Sequence, residues 1–184
     1  MSSRGASAVG LGVCGAALLA GCAAPGSAAD TYGVLPAYLN AVAAHHDAPV
    51  TASALRPALV GEGEVVTVQL GEGTVTAQVT GPEVPGEGLP FQSPATTCTW
   101  TVTLGNAGAP TPIDPAGFTA LDHFGHVYPV AEVVGRPAPP AALEPGRTVS
   151  FQVRAVLPTG EGLMRWAPNG RDIVVSWDFE VEND

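Results

Sequence analysis

The side chains of this sequence best suited to chemistry are four histidines and their acidic neighbours. His45 and His46 precede Asp47, and His123-x-x-His126 follows Asp122. Imidazole and carboxylate together suit borderline metals such as zinc or copper, and a tight turn can bring residues three apart onto one ion. Two ligands on a turn make half a site, and the other half would have to come from His45 and His46, far back in the chain. Solvated turn histidines are therefore the first reading and no metal ligand is assigned. A copper- or zinc-handling role for His123, His126, His45 and His46 stands as the alternative. Cys98 falls in the middle of an apolar strand face, where a thiol is most often a small, inert core residue. The sequence contains no Gly-x-Ser-x-Gly, Walker loop, His-Glu-x-x-His or Cys-x-x-Cys, and no pair of acids is singled out for glycoside hydrolysis. No catalytic residue and no cofactor is therefore expected, and a small hydrolase is a second alternative. For binding, Phe124 at a predicted hairpin tip and Phe91 in a long loop are the candidate exposed aromatic anchors, with burial of both in the ends of the sandwich as the alternative.

The elements that must position these residues are short strands. From Thr97 to Leu104, Cys98, Trp100, Val102 and Leu104 alternate strictly with four threonines, which is the period of a pleated strand with one buried face. Glu64–Leu70 and Thr74–Thr80 alternate in the same way around Gly71-Glu72-Gly73, a hairpin turn. Phe118–Leu121 and His126–Val134 flank Asp122–Gly125 as a second hairpin, Thr148–Leu157 and Asp172–Glu182 are further alternating strands, and Leu163–Trp166 reads as a short strand or edge. Gly81–Ala95, with four prolines, is either a functional loop or a crossover between sheets. About eight strands with one wet face each must bury their apolar faces against a second sheet. The fold class is all-β, an immunoglobulin-like antiparallel sandwich over 64–184 with Trp100 and Trp177 as core anchors. Residues 32–63 form an N-terminal extension, either a short helix within Tyr32–Asp47 or a spacer with an irregular first strand.

Charge narrows the partners. Seventeen acids face seven arginines and no lysine, giving a formal charge of -10. Such a field repels phosphate, so nucleic acid is excluded as a partner, and adsorption to anionic lipid through basic clusters is excluded with it. Gly and Pro total 23 and 18, a frequency that leaves no room for long helices.

Residues 1–21 have the layout of a signal peptide: Arg4, then an uncharged run from Ala6 to Ala20 rich in small residues. The run ends in Leu19-Ala20-Gly21-Cys22, which resembles the lipobox of bacterial lipoproteins. That resemblance implies that Cys22 becomes the mature amino terminus and carries at least two acyl chains, enough for stable anchoring. Residues 22–31 are then a flexible tether, and the expected location is extracytoplasmic, held to the cell membrane through Cys22. No paired arginine is present, so Sec-type export is expected.

Thr97 to Asp184 also resembles a family. The matching features are the strand end at Asn106, Phe118 followed by Asp122-x-x-Gly125-x-x-Tyr128, the Pro145-Gly146 turn, and Val156-Leu157-Pro158. They are similar to the telokin-like, immunoglobulin-like domains of actinobacterial and other Gram-positive lipoproteins and secreted antigens, a family largely of unknown function. The resemblance implies an immunoglobulin-like sandwich on the cell surface and carries over no catalytic residue. One departure is that the mature chain has only Cys98 besides Cys22, so the inter-sheet disulfide of antibody domains cannot form. The functional expectation is a cell-envelope lipoprotein that binds a protein or envelope partner, or serves as a structural component, without catalysis.

Overall fold

The computed structural model describes residues 49–71, 73–85 and 94–181, all within a compact unit spanning 46–184. The leader, Cys22, the tether, the helix expected within Tyr32–Asp47, His45, His46 and Phe91 lie outside the described residues.

Two sheets face each other across one core. In chain order the strands are β1 (Val50–Ala52), β2 (Ala58–Gly61), β3 (Val66–Leu70), β4 (Gly73–Glu83), β5 (Ala95–Gly105), β6 (Thr111–Pro112), β7 (Phe118–Asp122), β8 (Val127–Pro129), β9 (Ala131–Glu132), β10 (Ala142–Leu143), β11 (Thr148–Pro158), β12 (Gly160–Trp166) and β13 (Val175–Val181). The first sheet runs β1-β3-β4-β5-β11-β9, the second β2-β13-β12-β7-β8, and β10 pairs with β6 alone. Among the described residues the one helical turn is a 3-10 turn, Pro115–Gly117, capped by Asp114, whose Oδ1 accepts from the Ala116 N–H at 2.9 Å.

The strand that alternates most strictly in sequence is central. β5 lies between β4 and β11 and buries Cys98, Trp100, Val102 and Leu104. Trp100 packs edge-on to Phe179 from the facing sheet, ring centroids 5.1 Å apart, and Phe118 stacks on Trp166 at 5.6 Å. Trp177 is buried and donates its indole N–H to the Glu64 carbonyl at 3.0 Å. Aromatic rings bury the most apolar area per residue, so these contacts dominate the core.

Four details differ from the sequence reading. The sandwich begins before Glu64, because β1 and β2 form the edges of the two sheets and pair in parallel, Val50↔Val66 and Val175↔Ala58. Parallel neighbours need long connections rather than hairpins, and here the intervening chain supplies them, so the sandwich is antiparallel inside and parallel at these two edges. Second, β4 and β5 are neighbours in one sheet, so the segment joining them is no crossover between sheets. Third, His126–Val134 is not one strand. It breaks after Pro129, which lacks a ladder donor, and β9 joins β11 in the other sheet. Fourth, Leu163–Trp166 belongs to a seven-residue strand between β13 and β7, not an edge. Its Gly162 is a slot: a Cβ there would lie 2.6 Å from Phe179 Cζ and 2.7 Å from the Leu121 carbonyl oxygen.

Candidate functional site

Asp122 ends β7 and is 6% exposed, the one buried acid among the described residues. Its Oδ1 accepts from the backbone N–H groups of Phe124 at 2.9 Å and His126 at 2.8 Å. Its Oδ2 accepts from the Tyr128 hydroxyl at 2.9 Å and lies 3.0 Å from His126 Nδ1. A carboxylate can only accept, so Nδ1 of His126 carries the proton. Burial works to raise the Asp122 pKa, but the backbone bond from His126, the His126 ring, Tyr128 and the backbone bond from Phe124 outweigh it and hold it at about 2. The same contact pushes the Tyr128 hydroxyl up from its ordinary value, with burial and the Asp122 charge adding to it.

The backbone closes around this carboxylate. Asp122 N–H donates to the His126 carbonyl at 3.1 Å, Gly125 N–H donates to the Asp122 carbonyl at 3.0 Å, and Gly125 sits at φ +89°, where a side chain would be strained. Asp122-x-x-Gly125-x-x-Tyr128 is thus a framework that fixes the tip of the β7–β8 hairpin. The fixed tip presents Phe124, which is 70% exposed. His123 lies against it with ring centroids 3.9 Å apart and packs on the backbone of Gly160.

The candidate metal ligands divide here. His126 is oriented by Asp122, which is the arrangement that tunes metal-bound imidazole, but the carboxylate oxygens are already committed to the turn. No group of three or more His, Cys, Asp or Glu able to hold a metal ion occurs among the described residues. His45 and His46, which would have completed the site, lie outside them. Cys98 is buried without a disulfide, and burial pushes its thiol up to about 11, which disfavours the nucleophilic thiolate.

Two concavities bear on the site, one away from the hairpin and one beside it. An open cavity of about 400 Å³, lined by Leu70, Ala109, Pro110, Pro112, Pro168 and Val174 among others, has no acid, imidazole or thiol among its described lining residues. A shallower one of about 260 Å³ runs beside the hairpin between His123, Glu161, Leu163 and Asp178. Sequence reasoning missed Leu55, 95% exposed in the turn after β1, and missed the Asp122–Tyr128 bond, although the Asp122-x-x-Gly125-x-x-Tyr128 pattern that contains it is one of the features behind the family resemblance.

The class of protein that these features define is an all-β, immunoglobulin-like sandwich with a rigid, aromatic-tipped hairpin. Its architecture is similar to the crystal structure of a secreted protein from Mycobacterium tuberculosis, MPT63. The likeness has a TM-score of 0.50 at 16% identity and covers 67% of this chain and 98% of that one. No protein-family model matches the chain, and no curated protein sequence matches it.

Proposed function

We propose that this chain is an extracytoplasmic lipoprotein of the telokin-like, immunoglobulin-like group, anchored through Cys22, that binds an envelope or protein partner without catalysis. The observation that carries the binding role is Phe124, a large apolar ring held in water on a tip with little freedom left to lose. Buried aromatic anchors dominate interface energies, and pre-organisation lowers the entropy lost on binding. The similarity to a secreted protein supports an extracytoplasmic role, and the layout of residues 1–22 supports the anchor.

Two experiments test this reading. Palmitate labelling should appear on the wild type and vanish in Cys22→Ala, and labelling retained by that variant would refute the anchor. In the Cys22→Ala background, where lipid cannot mask other contacts, the protein should co-sediment with isolated cell envelope. Phe124→Ala should weaken that binding while Leu55→Ala, also at an exposed turn, should not. Equal sedimentation of all three would remove the hairpin tip from the function.

A further inference from the structure

The outward face of the six-stranded sheet is unlike that of the five-stranded one. Strand register lays its side chains in ranks. One rank is Gln78, Thr103 and Ser150, and the next is Thr80, Thr101 and Gln152. Another joins Thr51, Thr67 and Thr76 across to Thr148 on the far side of Gly105. Charge enters these ranks only at Glu83 and Arg154, on either side of Thr99. The five-stranded sheet carries charge in each outward rank: Glu161 opposite Glu180, Leu163 opposite Asp178, Arg165 opposite Ser176. Threonine favours strands everywhere, but both sheets make that demand. Strand propensity therefore accounts for the threonines and not for the exclusion of charge, in a chain with 17 acids.

The array has a defined spacing and a recess. Neighbouring strands place polar groups about 4.8 Å apart, and alternate residues along a strand place them about 6.8 Å apart. Thr103 and Ser150 share a hydrogen bond at 2.9 Å, which orders that part of the face. A cavity of about 210 Å³ lies between Thr101, Ser150 and Gln152 on the sheet and Arg136 and Pro137 on the connection from β9 to β10. Drug-sized sites run to about 300–1,000 Å³, so this one suits a single ring. Hydroxyl and amide side chains both donate and accept, as sugar hydroxyls do, and Arg136, the one charged group among the described residues lining the recess, adds donors only, with no acid among them.

We propose that this face binds an uncharged polysaccharide, with one sugar ring in the recess beneath Arg136 and Pro137 and flanking hydroxyls along the threonine ranks. The surface is separate from the Phe124 tip and does not depend on it.

The test is affinity electrophoresis of the full chain carrying Cys22→Ala, in gels containing dextran, mannan or galactan, with polygalacturonate as the charged comparison. At least one neutral polymer should retard the protein. Ser150→Glu, at an exposed position, should weaken the retardation about tenfold or more, because the longer side chain fills the recess that Ser150 lines and removes the Thr103–Ser150 hydrogen bond that orders this face. Ser176→Glu on the other sheet and Phe124→Ala should retain it, and matched urea midpoints establish that the variants fold. Retardation by none of the neutral polymers, equal retardation by polygalacturonate, or a Ser150→Glu protein that binds like the wild type would each overturn the proposal. A dimer in size exclusion that Ser150→Glu separates would assign the face to a second copy and overturn it as well.

Discussion

Replacing Gly162 by alanine should destabilise the sandwich, whereas the same change at Gly61 should not. At Gly162 the new methyl would sit 2.6 and 2.8 Å from two atoms of the Phe179 ring and 2.7 Å from the Leu121 carbonyl oxygen, where ordinary contact begins near 3.4 Å. The neighbours would have to give by 3.4 minus 2.6, or 0.8 Å. Neither can give easily: the Leu121 carbonyl belongs to the β7–β12 ladder, and Phe179 is wedged against Trp100. Overpacking of this kind costs about 1–3 kcal/mol, and a clash with backbone puts Gly162→Ala at the upper end. With a urea slope of about 2 kcal/mol/M, the midpoint should fall by about 1–1.5 M. At Gly61 the nearest atom would be a flexible Glu64 carboxylate oxygen at 3.7 Å. Alanine there should be neutral or stabilise by about 0.4–1 kcal/mol through the unfolded chain. Urea unfolding followed by tryptophan fluorescence reads both. Equal midpoints for the two variants would refute the close packing of Phe179 on Gly162.

Two further predictions concern the hairpin. Asp122 has its pKa lowered from 3.8 to about 2 in the fold, so its contribution is present above about pH 4 and lost as pH falls toward 2. The stability gap between wild type and Asp122→Asn should therefore close between pH 5 and about 2, and a gap constant with pH would contradict the hydrogen bonds assigned to this carboxylate. Tyr128 is shifted the other way, so what it contributes below its ordinary titration range should be lost as pH rises through its raised value, and Tyr128→Phe should remove that alkaline loss. For metal, zinc titration of the mature chain by calorimetry should be unchanged by His123→Ala with His126→Ala. Stoichiometric binding that disappears in the double variant would instead make the tip a metal site.

The alternating strands were legible because their inward residues are large and recur every two positions, as Cys98, Trp100, Val102 and Leu104 do. β12 was legible only in part, as a short strand or edge from Leu163 on, because its inward positions are Gly162, Met164 and Trp166, and a glycine that receives a ring 17 residues further along the chain looks like a turn until register is known. The edge strands β1 and β2 are three and four residues long, too short for a period to show. At the candidate site, the hairpin around Asp122–Gly125 followed from local turn chemistry, but whether Phe124 faces water or tucks into the end of the sandwich did not, because that depends on how the tip packs. The role of Asp122 did not, since it depends on a Tyr128 hydroxyl that reaches it only after β8 folds back on β7. The ranks of threonine across five strands were hidden for the same reason: each strand displays its own hydroxyls, and only pairing aligns them.

The measurement that bears most directly on the central claim is the affinity of the Cys22→Ala protein for isolated cell envelope, with and without Phe124→Ala, at matched folded stability. An anchor of this size on a pre-organised tip should be worth about 2 kcal/mol or more, a loss of roughly 30-fold. Isotherms that superimpose would show that the hairpin tip does not bind, and that the partner is taken elsewhere on the sandwich.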